Sequence, residues 1–136
     1  MSSTQARENL SEKPSLPALL VVEDEVLIRF LVAEALRAAG FSVIEAANAD
    51  EALKVLATSA PVDVLITDVD MPGAIDGLGL APLARSARPG LRVVIASGCV
   101  GSEAAADAAD LFIGKPYDPE HMVWRVRGLT EAATAS

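Results

Sequence analysis

Six side chains in this sequence could do chemistry together: Glu23, Asp24 and Glu25 in a row, then Asp68, Ser97 and Lys115, each following an apolar run. Carboxylates, a hydroxyl and an ammonium are costly to gather unless a cation and an anionic ligand complete the set. Oxygens from Glu23, Asp24 and Asp68 suit a hard divalent cation. Mg²⁺ is the natural candidate, because it keeps water ligands and works beside phosphoryl oxygens. A carboxylate next to such an ion can attack a phosphoryl group to give an acyl phosphate. Lys115 and the Ser97 hydroxyl would then neutralise or hydrogen-bond the phosphoryl oxygens.

These residues must be brought together by the elements that carry them. Apolar runs of strand length occur at Leu19 to Val22, Ser42 to Ile44, Val62 to Ile66, Arg92 to Ala96 and Leu111 to Ile113, which implies five strands. Between the first two, Ile28, Leu31, Val32, Ala35 and Leu36 recur at helical spacing, and Gly40 stands where a C-terminal cap glycine belongs. Asn48 with Glu51 three residues on reads as the start of a second helix, ending near Ser59. A third helix is expected between Gly77 and Ser86. Pro82 lacks an amide hydrogen, so its regular part is expected to start only around Leu80 or Ala81. A short alanine-rich segment, Ser102 to Ala109, reads as a weak fourth helix, and a fifth runs from Asp118 to about Ala133.

Nearly all-apolar strands separated by helices indicate a parallel sheet covered on both faces and joined by right-handed crossovers. The expected fold is α/β, a doubly wound five-stranded parallel sheet with helices on both faces. Ligands in such folds gather beyond the carboxyl ends of the strands, where Glu23, Asp68, Ser97 and Lys115 would converge.

With 136 residues, 51% of them hydrophobic, the chain suits one self-supporting domain. Residues 1–17 read as a flexible lead, residues 18–133 as the domain and residues 134–136 as a tail. A net charge of −8 argues against nucleic acid or an anionic membrane as partner. The single cysteine, Cys99, cannot form an internal disulfide, and no signal-peptide core or spanning run occurs, so the cytoplasm is the expected location.

The segments Leu20-Val21-Val22-Glu23-Asp24-Glu25, Ile66-Thr67-Asp68-Val69-Asp70-Met71-Pro72-Gly73, Ala96-Ser97-Gly98 and Gly114-Lys115-Pro116-Tyr117 together resemble the receiver domains of bacterial response regulators. The resemblance covers about residues 18 to 133. It implies the strand order 2-1-3-4-5 and a cis bond before Pro116. It also implies that Asp68 is the phosphorylated residue, served by Ser97 and Lys115, and that Mg²⁺ is held by Glu23, Asp24, Asp68 and the backbone carbonyl of Asp70. Ser97 and Phe112 become a switch pair that reshapes the surface of the fourth helix, fifth strand and fifth helix. Implied partners are a sensor histidine kinase or a histidine phosphotransfer protein as donor, a downstream protein target, and a second copy through that same surface. Catalysis beyond self-phosphorylation and autodephosphorylation is not expected.

The sequence departs from the family pattern at four places. Glu23 replaces the commoner Asp, the loop from Pro72 to Gly77 is one residue longer, Asp70 adds a charge beside the acceptor, and the stretch from Ser97 to Lys115 is short. Neither a linker nor a basic recognition helix follows the fifth helix, so a single-domain regulator acting by contact is expected. Trp124 lies opposite the stripe of Met122, Val123, Val126 and Leu129 and is expected to be exposed, as a partner contact. His121 reads as a surface residue, and no neighbouring cation marks Cys99 as reactive. Two other functions stay open: a haloacid-dehalogenase-like aspartyl phosphatase using Asp68 and Asp70, and a receiver-fold binding module that uses no phosphate.

Overall fold

The computed structural model describes residues 16–98 and 109–135. In chain order the elements are β1 (Ala18–Val22), α1 (Val26–Ala38), β2 (Ser42–Ala46), α2 (Ala49–Leu56), β3 (Val64–Asp68), α3 (Gly77–Ala87), β4 (Arg92–Ser97), β5 (Leu111–Gly114) and α4 (Pro119–Ala135). The strands form one sheet in the order β2-β1-β3-β4-β5, and every neighbouring pair is parallel. This is the doubly wound α/β fold expected from the sequence. Cys99, most of the segment from Ser102 to Ala109 and most of the N-terminal lead lie outside the described residues.

Side-chain alternation along each strand sorts the core into two layers. Leu20, Val22, Leu65, Val93 and Ile95 pack with Ala52, Leu56, Leu80 and Ala84 of α2 and α3. Leu19, Val21, Val64, Ile66 and Val94 pack with Val32 and Leu36 of α1 and with Met122 and Val126 of α4. The central strand β3 is buried along its whole length, including the polar Thr67 and Asp68. Covered on both faces, such a strand can display chemistry only at its end.

Helix boundaries follow their caps. Asn48 accepts from the Glu51 amide at 2.8 Å, and the Glu51 carboxylate reaches back to the Ala47 amide at 2.8 Å. At the end of α1, Gly40 has φ 104°, its amide donates to the Arg37 carbonyl, and the Phe41 amide donates to that of Leu36. Those paired bonds close the helix, and the left-handed backbone suits glycine. The third helix corrects the sequence reading. It begins at Gly77 rather than around Leu80, because the Asp76 carboxylate caps the Gly79 amide at 2.9 Å and starts the helix ahead of Pro82. Pro82 therefore sits inside the helix, at the loss of one ladder bond. The second helix stops at Leu56, short of the expected Ser59.

Candidate functional site

The parallel ladders continue one residue past the strand ends, and this brings the loops level. The Glu23 amide donates to the Ala46 carbonyl at 3.1 Å, the Val69 amide to Ala96 at 3.0 Å and the Lys115 amide to Ser97 at 2.8 Å. Asp68 and Ser97 are the last residues of β3 and β4 rather than the first beyond them. They are buried, at 6% and 1% exposure, whereas Asp24 stands half-exposed at the rim.

Glu23, Asp24 and Asp68 each place a carboxylate oxygen within 4.8 Å of the others. Lys115 Nζ donates to Asp68 Oδ2 at 2.6 Å and lies 3.5 Å from Glu23 Oε1. The other Asp68 oxygen accepts from the Asp70 amide at 3.3 Å, and Glu23 Oε2 accepts from the Glu25 amide at 3.1 Å. The Lys115-Pro116 bond is cis, as the resemblance implied.

Burial pushes the Glu23 carboxyl above its ordinary range. The Glu25 amide and Lys115 work against that rise, and the Asp68 charge adds to it. Burial tends to lower Lys115, but its hydrogen bond and attraction to Asp68, with Glu23, outweigh that and raise it. Tyr117 is pushed up to about 12, by burial first and then by the nearby Glu23 charge. A cluster with three carboxylates and one ammonium is left with excess negative charge, and a hard cation suits such a donor set.

Residues 19–127 match the response regulator receiver domain family. The chain belongs to that family. Among relatives of this receiver, a putative NtrX-like response regulator of Rickettsia felis is 36% identical over 110 residues, which is 77% of this chain and 23% of that protein. The chain thus spans about a quarter of the length of the curated relatives it matches. A CheY-like receiver domain protein of Methanospirillum hungatei superposes with a TM-score of 0.78 at 25% identity, covering 87% of this chain and 96% of that one. The response regulator TrrA of Thermotoga maritima, solved with Mg²⁺ and BeF, gives 0.72 at 30% identity, covering 84% and 99%. As a receiver of the two-component type, the chain has the fold of phosphorelay signalling.

The receiver fold brings Glu23, Asp24, Asp68 and Lys115 together, with Ser97 on the adjacent strand end. Asp70 meets Asp68 through its backbone amide, while its side chain is exposed. Phe112 sits apart, half-buried against the α2 and α3 layer. Sequence reasoning missed Gly77. A Cβ there would lie 2.1 Å from the Asp68 carbonyl oxygen and 3.0 Å from Val69 Cα, so α3 can start against the Asp68 backbone only without a side chain. The available signal was a glycine at the first turn of a predicted helix, where its poor propensity calls for a reason. Tyr117 was noted in its motif but given no part, although Glu23, Lys115 and Asp68 all act on its phenol.

Proposed function

We propose that this receiver accepts a phosphoryl group on Asp68 from a phosphohistidine of a sensor histidine kinase or histidine phosphotransfer protein. An Asp68 oxygen attacks phosphorus, the P–N bond breaks, and the imidazole nitrogen keeps the electron pair. The observation that carries this reading is the buried Asp68 carboxylate bonded to Lys115 at 2.6 Å, with Glu23 and Asp24 beside it. Glu23, Asp24, Asp68 and the Asp70 carbonyl are the groups that would hold Mg²⁺, which when bound supplies positive charge to the phosphoryl oxygens. Lys115 supplies a second positive charge, and the Ser97 hydroxyl a hydrogen bond. Phe112, one strand over from Ser97, is the switch partner, and the face of β5 and α4 carries the response to a protein target or a second copy.

Approach of a protein donor is supported by α1. Its residues Val26, Leu27, Phe30 and Leu31 are exposed, although large apolar side chains gain nothing from water. Of these, Leu31 also lines a groove of about 510 Å³, with Ile28, Tyr117 and the acceptor's partner Lys115. The test is incubation with Mg²⁺ and a small acyl-phosphate donor, followed by mass spectrometry. One added phosphoryl group on Asp68, lost in Asp68→Asn, is the expected result, and label elsewhere or none sinks the reading.

A further inference from the structure

We propose that Arg29 is a positioning residue for the metal-binding loop and acts by pinning the backbone of Glu23 to the edge strand β2. Its Nη1 donates to the Glu23 carbonyl at 2.8 Å, and its Nε donates to Glu45 Oε1 at 3.2 Å. Glu45 lies on β2 opposite Val21, and the next residue, Ala46, accepts the Glu23 amide. Both polar groups of the Glu23 backbone are therefore held from β2: the amide directly, and the carbonyl through Arg29.

That carbonyl belongs to the peptide leading into Asp24, so its orientation aims two of the three clustered carboxylates. The contact is well suited to the task. A guanidinium is a planar fork that can serve two acceptors at fixed angles, which an ammonium cannot do. The Arg29 side chain is only 18% exposed, so water competes weakly for these charge-assisted bonds. Arg37 also reaches Glu45, through the other carboxylate oxygen at 3.0 Å, but it does not touch the loop carbonyl that Arg29 holds.

The inference rests on the reading that Glu23, Asp24 and Asp68 hold Mg²⁺, and two measurements separate the two claims. Mg²⁺ affinity is measured by calorimetry, and amide exchange at Asp24 and Glu25 is measured without metal, for wild type, R29Q, R29K, E45Q and R37Q. Loss of an outer-shell partner reduces metal affinity about tenfold or more. A drop of about tenfold is expected for R29Q, a smaller one for E45Q, little recovery in R29K and wild-type affinity in R37Q. Exchange at Asp24 and Glu25 should quicken in R29Q while that of β3 is unchanged. Should R29Q fail to fold, E45Q carries the test. Wild-type affinity and exchange in a folded R29Q overturn the role of Arg29. Absence of Mg²⁺ uptake by the wild type, with quickened exchange in R29Q, overturns instead the reading of the site.

Discussion

Asp68 and Lys115 meet across a sheet edge at 2.6 Å, and much of the site's electrostatics follows from the imbalance around that pair. In Asp68→Asn the amide oxygen still accepts from Lys115, while one of three clustered carboxylate charges is lost. The variant should take no phosphoryl group and, without metal, should unfold at a higher temperature. A thermal melt beside the mass spectrum checks both outcomes. Tyr117 is the only tyrosine, so its phenolate absorbance reads one group. Its midpoint in the folded chain should fall at about 12, against about 10 in denaturant. Because the folded state holds that proton more tightly, it binds more protons than the unfolded chain between those values, and stability declines as pH rises through the window. Glu23→Gln should lower the midpoint and Lys115→Met should raise it, since Glu23 opposes and Lys115 favours the phenolate. An unmoved midpoint in both variants contradicts the placement of Tyr117 beside the cluster.

At the scale of elements, α3 and β3 are fitted to each other at Gly77, where a methyl group would overlap the Asp68 carbonyl. Gly77→Ala ordinarily favours a helix, yet here it should destabilise by ~1 to 3 kcal/mol, the usual cost of overpacking. It should also slow phosphorylation by a small donor, although no chemical group is removed, because the Asp68 backbone must move. Asn48→Ala is the useful contrast. It removes the cap of α2 and no hydrogen bond of Asp68, and should cost ~1 kcal/mol with phosphorylation unchanged. Denaturant unfolding gives the stability of each variant, and initial rates of labelling give the second comparison. Equal labelling rates for Gly77→Ala and wild type would mean that α3 does not hold Asp68 in place.

On the scale of the whole molecule, large apolar side chains among the described residues reach water on several elements, α1 and α4 among them. On α1 are Val26, Leu27, Phe30 and Leu31; on α4 Trp124 is exposed by 70% and stacks on His121 with ring centroids 6.0 Å apart. If α1 receives the protein donor, Leu27→Asp with Phe30→Asp should slow phosphotransfer from a histidine phosphotransfer protein. Labelling by a small acyl phosphate, which needs no docking, should be unaffected. Parallel loss of both activities would place the defect in the site rather than in docking. Trp124 is the only tryptophan, so its fluorescence reports the α4 face alone. Beryllofluoride with Mg²⁺ should shift that signal or change the oligomeric state seen by light scattering. No change in either would separate the α4 face from the switch.

What the sequence determined by itself was whatever local spacing encodes. Periodicity fixed five strands and most of the helices, the Asn48 and Gly40 caps lie where the residue types put them, and the stripe of Met122, Val123 and Val126 left Trp124 outward as expected. The acidic and basic residues at the strand ends were legible because a parallel sheet points all those ends one way. Only the tertiary structure decided which of them touch. Lys115 reaches Asp68 across 47 residues, Gly77 admits the Asp68 backbone, and Arg29 ties the Glu23 loop to β2. Local pattern tells a side chain which face it occupies, whereas these contacts depend on how far each ladder runs past its strand and where each crossover returns. For the same reason the Asp76 cap could start α3 before Pro82: helix propensity is a weak preference, and the packing of Leu80, Ala81 and Ala84 into the core outweighs it.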